Sequence, residues 1–598
     1  MTRRRTGSSV QHTREIQPAQ TEGAERTPRK WYLLIGRGMY RDVRNRLPYY
    51  RNDWTDAWNY RVVPATFMIF FANVLPGIAF ALDLIESTGQ TGVQEVLLAT
   101  FIAAGAAAFL GAQPLLISGV TGPITVFNKT IHTIFVKNGS GGPDFNYLHF
   151  LGWVYLWGAI LHWVTALFNA VSLLKYVTRF PCDTFGFYVA MVYLQYGIQV
   201  VTRQFGQTDD ASAFLGILLA ILTLVIPHLF DLVYHSPFLH RQLRRFCADY
   251  GMPITVIACS GLAYWGTFHG YVTEEAMTLP TTGAYTPAGG RDWVVKFWQL
   301  PGKYVGIAFP FGLVLWILFI FEYVVPSLIA QGSEFPLRKP AGFHWDFFLL
   351  GITTLLAGIF GVPAPNGLIP QAPLHTASLV VMGIKHEHED EESTLTDRQD
   401  HEAGNRRGSP SSQERNGSGP LKRRVSEVKR EIEKLENQIN EKEVAVAVVE
   451  QRVSNLVQGA FCLVLMTGPF EKLLGFIPKG VLAGLFWYMG SSALFGSGVT
   501  ALFLFLIKDR RLTSPSDPLR RVRKSRIMMW LVFQLLGFAA TFAITNTIAA
   551  IGFPIVIALL IPFRILVIPR LHLFTEDELN ILDGPVASPF TMQSVNVA

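Results

Sequence analysis

The chain is poor in charge and in cysteine for its length. Only 16% of its 598 residues are Asp, Glu, Lys or Arg, whereas 50% are hydrophobic. Soluble globular domains carry about 25% charged residues, so this composition argues against a water-soluble protein.

The four cysteines, Cys182, Cys247, Cys259 and Cys462, form no CxxC pair. Their spacing excludes a disulfide framework and a zinc site of the usual kind, and it predicts reduced cysteines packed in helices.

The sequence also lacks the common motifs of enzymes. No P-loop, HExxH or nucleophile elbow occurs in it, so neither an ATP-driven pump nor a hydrolase is predicted. No metal and no cofactor is expected. The net charge of +7 is spread over short loops between apolar blocks, which is a topology signal and does not predict nucleic acid as a partner.

Long apolar blocks fill most of the chain. Blocks such as 213–227, 307–323 and 528–543 contain almost no ionisable residues, as membrane-spanning helices require. The sequence therefore predicts an all-α polytopic membrane protein with the lipid bilayer as its partner. About fourteen such blocks begin near Arg61, Val93, Gly122, Tyr147, Phe180, Ala211, Met252, Tyr304, His344, Gln371, Val453, Phe476, Lys524 and Ile548.

The third and tenth blocks are short, and each is preceded by a Gly/Pro-rich stretch. Residues 113–123 are QPLLISGVTGP, and residues 361–370 are GVPAPNGLIP. Each block is third in its half of seven, which indicates inverted repeats with two half-helices meeting at the midplane of the membrane. The alternative is that each is a kinked helix or loop without a special role. Two such segments in register favour a binding site.

The loops predict the orientation. Lys and Arg concentrate after even-numbered blocks, for example in residues 241–245 and 508–524. By the positive-inside rule, this face and both termini are cytosolic. The opposite face carries the glycosylation sequon at Asn138, whereas the sequons at Asn128 and Asn416 fall in the membrane and in the cytosol and are not expected to be used.

Polar segments flank and interrupt the apolar blocks. Residues 1–35 are predicted to be a disordered cytoplasmic tail, 36–384 the first ten spans, 453–570 the last four spans and 571–598 a cytoplasmic C-terminal tail. Residues 385–452 form a cytoplasmic insert with a disordered linker. A heptad pattern from Val425 to Leu456 predicts an amphipathic helix at its end, which contacts either a neighbouring subunit or its own cytoplasmic face.

Four stretches resemble one transporter family. Residues 118–129, SGVTGPITVFNK, resemble a third-span motif of bicarbonate and borate transporters. Residues 365–376, PNGLIPQAPLHT, resemble the tenth-span motif of the borate branch, and 477–490 and 450–455 are similar to further family segments. On these motifs the chain is identified as a member of the anion-exchanger family that resembles its fungal borate transporters. The resemblance extends from about residue 36 to 574.

The resemblance implies a particular architecture. Spans one to four and eight to eleven would form a core domain, and spans five to seven and twelve to fourteen a gate domain. It also implies a homodimer through the gates and an elevator-like motion of the core. The large soluble N-terminal domain of the animal exchangers has no counterpart here, which favours the borate branch.

An anion halfway across a bilayer needs fixed donors. The N-terminal ends of two half-helices offer N–H groups and a partial positive charge. The hydroxyl of Thr121 and the amide of Gln371 can hydrogen-bond a polyhydroxyl ligand, or these residues only cap their helices. The predicted binding residues at the two ends are Thr121, Gly122, Pro123, Gln371, Ala372 and Pro373.

Glu322 lies deep in the eighth apolar block. An acid there is costly to keep, so it predicts a functional site and a candidate for proton coupling. In the family an acidic residue at this place lines the substrate site, whereas the alternative is a Glu that is hydrogen-bonded within the bundle. Asn73 in the first span either faces the same cavity or bridges helices. Lys129 in the third span either snorkels or balances Glu322.

Gln371 distinguishes the branches of the family. The animal exchangers carry an arginine there, which offers a fixed charge to a carbonate-like anion, whereas a neutral amide suits boric acid or borate. The predicted function is proton-coupled export of borate or boric acid. The alternatives are a bicarbonate or other anion exchanger and a non-transporting scaffold or sensor. The predicted location is the plasma membrane, with the vacuolar membrane as the alternative.

Overall fold

The computed structural model describes residues 35–272, 277–384, 443–509, 513, 517–547 and 549–595. Its helices are α1 Arg37–Arg46, α2 Tyr50–Thr55, α3 Val62–Thr88, α4 Val93–Phe109, α5 Gly122–His132, α6 Tyr147–Leu167, α7 Arg179–Gln204, α8 Asp210–His235, α9 Arg241–Ala263, α10 Gly302–Ile329, α11 Phe343–Phe360, α12 Gln371–Ser378, α13 Val453–Leu465, α14 Gly468–Gly475, α15 Lys479–Phe495, α16 Gly498–Ile507, α17 Lys524–Thr545, α18 Phe553–Pro562, α19 Ile568–Arg570, α20 Glu576–Leu582 and α21 Pro589–Val595. Its strands are β1 Ser118–Gly119, β2 Asn366–Gly367, β3 Val380–Ile384 and β4 Glu443–Val448.

Among the described residues, nine helices are long and apolar enough to cross a membrane, and eleven if each of two bent pairs is one span. The bent pairs are α13 with α14, at 82°, and α15 with α16, at 62°. The predicted third and tenth blocks are the short helices α5 and α12, as the sequence indicates. The second, α4, reaches 17 residues. The start predicted for the seventh block was wrong, because α9 begins at Arg241 and adds a basic, amphipathic stretch before the apolar one.

Glycine ends two helices next to the segments predicted to form a binding site. Helix α3 ends where Gly89 adopts a φ of 65°, and α11 ends where Gly361 adopts a φ of 61°. This left-handed conformation costs glycine little because glycine has no Cβ. Gly361 therefore turns the chain out of α11 directly into the Gly/Pro-rich segment 361–370.

The helices pack in two groups. In the first helix group, α6 packs against α10 and α11, and α4 packs against α3 and α13. In the second, α15 packs against α7 and α8, α8 against α9, and α17 against α7 and α18. The first helix group is α1–α6 with α10–α14, and the second is α7–α9 with α15–α18. The two groups meet where α3 contacts α15 and where α10 contacts α18.

The second sheet corrects part of the predicted insert. The heptad pattern predicts a helix through residues 443–448, but these residues form β4, paired antiparallel with β3 so that Val380 lies opposite Val448. Valine and alanine alternate in this stretch, and alternation with many β-branched residues favours a strand. Residues 385–442, including the beginning of the heptad pattern, lie outside the described residues.

The C-terminal segment is docked on both helix groups. Asp583 accepts a hydrogen bond at 2.8 Å from the N–H of Phe180, which lies on α7 of the second group. Its carboxylate also pairs with Arg564, which follows α18 of the same group. Further on, the carbonyl oxygen of Val595 is 3.3 Å from Nε2 of His344, on α11 of the first group. The segment predicted as a C-terminal tail therefore contains two short helices that connect the groups.

Asp53 is the anchor of a buried ion cluster. Its carboxylate binds Arg46 at 2.8 Å, Lys339 at 2.9 Å and Arg452 at 2.9 Å, and its side chain is fully buried. These partners come from α1, from the loop before α11 and from the residue before α13. One carboxylate thus joins three segments that are distant in sequence.

Replacing Asp53 by asparagine is expected to destabilise the protein strongly. Removing one partner from a buried ion pair costs about 3–5 kcal/mol, because the remaining charges stay buried without compensation. The matched control is Asp56→Asn, since within the described residues the carboxylate of Asp56 binds Lys339 alone, at 2.7 Å, and its side chain is 47% exposed. The measurement is the thermal unfolding of the detergent-solubilised protein. Equal melting temperatures for the two variants would contradict the prediction.

Candidate binding site

The two Gly/Pro-rich segments meet and pair. Strand β1 pairs antiparallel with β2, so that Ser118 lies opposite Gly367 and Gly119 lies opposite Asn366. Shortly after each strand a half-helix begins, α5 at Gly122 and α12 at Gln371. Two segments almost 250 residues apart, which the sequence predicts to meet, are thus in direct contact.

Glycine is required at this crossing because neighbouring helices approach it closely. A Cβ on Gly119 would lie 2.5 Å from Oδ1 of Asn73, on α3. A Cβ on Gly367 would lie 2.8 Å from the carbonyl oxygen of Glu322, on α10. The crossing therefore rests directly on the two helices that carry the predicted residues Asn73 and Glu322.

Thr121 has two roles at the start of α5. Its hydroxyl oxygen accepts a hydrogen bond from the N–H of Ile124 at 3.4 Å, which caps the helix. Its hydroxyl also donates to Oε1 of Glu322 at 2.6 Å. Gly122 and Pro123 form the first turn, where proline loses no hydrogen bond because the first N–H groups have no partner within the helix. The capping interpretation of Thr121 is confirmed, and the contact with Glu322 is an additional finding of the structure.

Two buried side-chain oxygens at the site have no hydrogen-bond partner in the part of the chain that the structure describes. They are Oε2 of Glu322 and Oε1 of Gln371. Nε2 of Gln371 donates to the carbonyl oxygen of Ala72 at 3.0 Å, which fixes the direction of the amide. Both side chains are 2% exposed. A buried acceptor without a donor is costly, so both oxygens indicate a place where a ligand or water donates hydrogen bonds.

Asn73 bridges segments. Its Nδ2 donates to the carbonyl oxygen of Ser118 at 3.3 Å and to Oε1 of Gln458 at 3.1 Å. Gln458 in turn donates to Asn455 at 3.1 Å, and Asn455 donates to the carbonyl oxygen of Leu116 at 3.0 Å. This chain of amides binds carbonyl groups of the extended segment, which water does not reach. Sequence reasoning missed Gln458, a neutral polar residue within the eleventh apolar block.

A cavity of about 1220 Å³ opens between the two helix groups and reaches the start of α12. Gln371 and Pro373 line it, but Thr121 and Glu322 do not. Ala372 does not offer a free donor in this conformation, because its N–H donates to the carbonyl oxygen of Leu368 at 3.0 Å. The ionisable residues in the wall of the cavity are Tyr60, Arg61, Cys182, Asp183, His228, Asp231, Tyr234, His235, Arg244, Arg245, Asp249 and Tyr488.

The structure excludes one of the two interpretations of Lys129. Its Nζ lies 3.2 Å from Oδ1 of Asp83, so the interpretation that it balances Glu322 was wrong. The same carboxylate binds Arg203 at 2.8 Å. Asn128, the neighbour of Lys129, is buried and accepts a hydrogen bond from the hydroxyl of Tyr155 at 3.0 Å. Its side chain therefore packs inside the helix bundle.

The chain matches known transport proteins over most of its length. Residues 34–210, 195–398 and 424–587 match the family described as the HCO3- transporter integral membrane domain. A Schizosaccharomyces pombe relative is 42% identical over 563 residues, which cover 93% of this chain and 98% of that protein. Boron transporter 1 of Saccharomyces cerevisiae is 37% identical over 600 residues, which cover 98% of this chain and 91% of that protein.

A more distant relative is the Band 3 anion transport protein of Rattus norvegicus. It is 26% identical over 586 residues, which cover 94% of this chain but 56% of that protein. The family resemblance of the sequence motifs is confirmed by these matches, and so is the prediction of a transporter rather than an enzyme. This multi-pass membrane protein belongs to the bicarbonate transporter family.

Proposed function

We propose that this chain is a secondary active transporter that exports borate or boric acid by alternating access. The observation that carries the proposal is the pair of unpaired, buried acceptors, Oε2 of Glu322 and Oε1 of Gln371, next to the crossing of β1 and β2. The similarity to Boron transporter 1 over 98% of the chain supports the same class of substrate. The bound ligand lies between the start of α5, the start of α12 and Glu322.

Unpaired acceptors favour a ligand that donates several hydrogen bonds. Boric acid and borate donate one from every oxygen, whereas bicarbonate has a single hydroxyl. The N-terminal ends of α5 and α12 add a partial positive charge that suits the anionic form. Thr121, Gly122, Pro123, Gln371, Ala372 and Pro373 line the ligand in this proposal, and Asn73 holds the crossing in place.

Glu322 is the proposed group for proton coupling. Within the described ranges no Lys or Arg lies at ion-pair distance from it, and its only hydrogen-bond partner is Thr121. A carboxylate without a cation is costly within a membrane. Gain of a proton when the anion binds, and loss of it when the anion leaves, would keep the charge of the site constant.

In this proposal the first helix group is a core that moves as an elevator, and the second is a gate. The fourteen spans form seven-plus-seven inverted repeats, and the antiparallel contact of the third and tenth segments supports this symmetry. The position of the cavity between the two groups supports motion along that boundary. The gate also forms a homodimer contact, for which Leu232, Ile257 and Leu536 offer exposed apolar side chains.

The cavity opens to the cytosol in this proposal. Arg61, Arg244 and Arg245 line it, and the positive-inside rule assigns such residues to the cytosolic side. The ligand enters from that side and leaves on the other, which is the direction of export. Both termini, the insert 385–452 and the tails 1–35 and 571–598 are cytoplasmic. The membrane is the plasma membrane, with the vacuolar membrane as the alternative.

The second candidate is exchange of bicarbonate or another inorganic anion. The description of the family favours it. The neutral amide of Gln371 counts against it, because a carbonate-like anion is bound better by the fixed charge of an arginine. A scaffold or sensor without transport leaves the two unpaired acceptors without a role.

Glu322→Gln is expected to abolish boron export. The variant keeps the size of the side chain but removes the charge and the proton that the mechanism uses. The measurement is intracellular boron in cells that lack their own exporter and grow in high boric acid, compared with the unchanged chain and an empty vector at equal surface expression. Glu334→Gln is the control, since Glu334 lies in an exposed turn after the same helix.

The outcomes of this experiment separate the candidates. If the unchanged chain lowers cell boron and Glu322→Gln does not, export and the role of Glu322 are both supported. If the unchanged chain reaches the surface and leaves cell boron unchanged, borate export is wrong and exchange of bicarbonate becomes the leading function. If Glu322→Gln exports normally, the role of Glu322 is wrong.

Thr121→Val is expected to weaken transport, and Thr121→Ser to preserve it. Valine has the shape of threonine but no hydroxyl to donate to Glu322, whereas serine keeps the donor. A hydrogen bond to a charged group is worth about 1.5–3 kcal/mol, which corresponds to roughly ten- to hundred-fold in affinity. The measurement is the initial rate of boron efflux at several internal boron concentrations. Equal rates for the two variants would show that the hydroxyl has no part in transport.

A further inference from the structure

Ion pairs connect the two helix groups at the end of α3 that is farther from the cavity. Asp83 and Glu86, both on α3 of the first group, bind Arg203 of α7 in the second group, at 2.8 and 3.0 Å. Glu86 also binds Lys479 of α15 in the second group, at 2.7 Å. We call these four residues the outer ion cluster. Two acids of one group thus hold two cations of the other.

Helix α3 passes from the cavity to the cluster. Ala72 lines the cavity, Asn73 contacts the crossing, and Phe80 follows within a layer of aromatic rings. Asp83 and Glu86 come last. From position 72 to position 83 the helix rises about 16 Å at 1.5 Å per residue. The outer ion cluster is therefore separated from the cavity by the binding site and the aromatic layer.

Two helices of the second group show the same order of layers. On α7, Tyr196 and Arg203 are seven residues apart, and on α15 Lys479 and Phe486 have the same spacing. Residues seven apart lie on one face of a helix. The ring of Phe80 lies 5.8 Å from that of Tyr196 and 5.2 Å from that of Phe486. An aromatic layer therefore lies under the ion cluster on all three helices.

We propose that Arg203 and Lys479 are positioning residues for transport, which hold the outer end of the pathway closed while the cavity is open. Their ion pairs with Asp83 and Glu86 break each time the pathway opens on the outer side. The inference rests on the proposed function, because it needs the two helix groups to move relative to each other. The acids move with the site since both are on α3, and the cations stay with the second group.

Lys129 provides a matched comparison. It binds the same carboxylate of Asp83 as Arg203 does, but from α5, which belongs to the same helix group as Asp83. The side chains of Lys129 and Arg203 are both 29% exposed. Relative motion of the groups breaks the contact of Arg203 and leaves that of Lys129 intact. Lys129→Gln therefore removes the same charge without removing a contact between the groups.

The test is the accessibility of a cysteine below the cluster. Val200 lies on α7 between Tyr196 and Arg203 and is 2% exposed. In cells that express Val200→Cys, a membrane-impermeant maleimide added outside should label the protein slowly. The same protein without Val200→Cys sets the background from Cys182, Cys247, Cys259 and Cys462. Because labelling does not depend on boron, it tests the closure separately from the proposed substrate.

Arg203→Gln in this background is expected to raise labelling about five-fold, which is the shift in the open population expected when partly exposed ion pairs are lost. Lys129→Gln should label at the slow rate, and Arg203→Lys should restore it because the positive charge returns. Equal labelling of Arg203→Gln and Lys129→Gln at equal surface expression would overturn the inference. If Arg203→Gln raises labelling while the protein with native Arg203 leaves cell boron unchanged, the closure is upheld and borate is rejected as the substrate.

A second experiment tests the inference even if Arg203→Gln does not reach the cell surface. Glu86→Cys and Lys479→Cys together should be joined by a short bis-methanethiosulfonate cross-linker added outside, because the side chains that they replace meet at 2.7 Å and the reagent spans the length that the shorter cysteines lose. The cross-link should reduce efflux to the level of the empty vector, and a reductant should restore it. Efflux at the full rate through the cross-linked protein would overturn the inference.

Discussion

The antiparallel pairing of Ser118–Gly119 with Asn366–Gly367 is the contact on which the rest of the candidate binding site depends. Extended segments leave backbone N–H and C=O groups without helical partners, and the interior of a membrane has no water to satisfy them. The two strands satisfy part of this need in each other, and the amides of Asn73 and Asn455 bind further carbonyl groups. Because each strand has only two residues, α5 and α12 both begin next to the crossing. The two helix ends that can attract an anion are therefore a consequence of this pairing.

Local signals in the sequence marked the residues of this candidate site and the meeting of the two broken segments, but not which side chains bind each other. Glycine and proline marked both broken segments, and a lone acid within an apolar block marked Glu322. The hydrogen bond between Glu322 and Thr121 joins residues 201 positions apart and follows only from the packing of α10 beside α5. The same limit applies to Lys129, for which the sequence offered Glu322 as a partner while the packing of α3 against α5 supplied Asp83.

Periodicity failed where one stretch fits two periods. The valines at 444, 446 and 448 repeat every second residue, whereas those at 446, 449 and 453 repeat at helical spacing. A pattern in one segment cannot choose between these structures, because the strand is stabilised by its partner β3 and not by its own sequence alone. The blocks of the membrane helices were easier to predict, since a long apolar run has few other stable structures in lipid.

Helix α3 connects the candidate binding site to the proposed closure at its outer end, and the two layers of that closure have different physical roles. The ion pairs of Arg203, whose side chain is 29% exposed, hold less strongly than fully buried pairs, so in the proposed mechanism they can form and break in each transport cycle. Such pairs do not exclude water, whereas the rings of Phe80, Tyr196 and Phe486 do because they pack closely. In the proposed mechanism the rings therefore seal the pathway, and the ion pairs hold the two helix groups in the position at which the rings pack. Both layers include residues of α3, so motion of the binding site in the proposed mechanism would also open the seal.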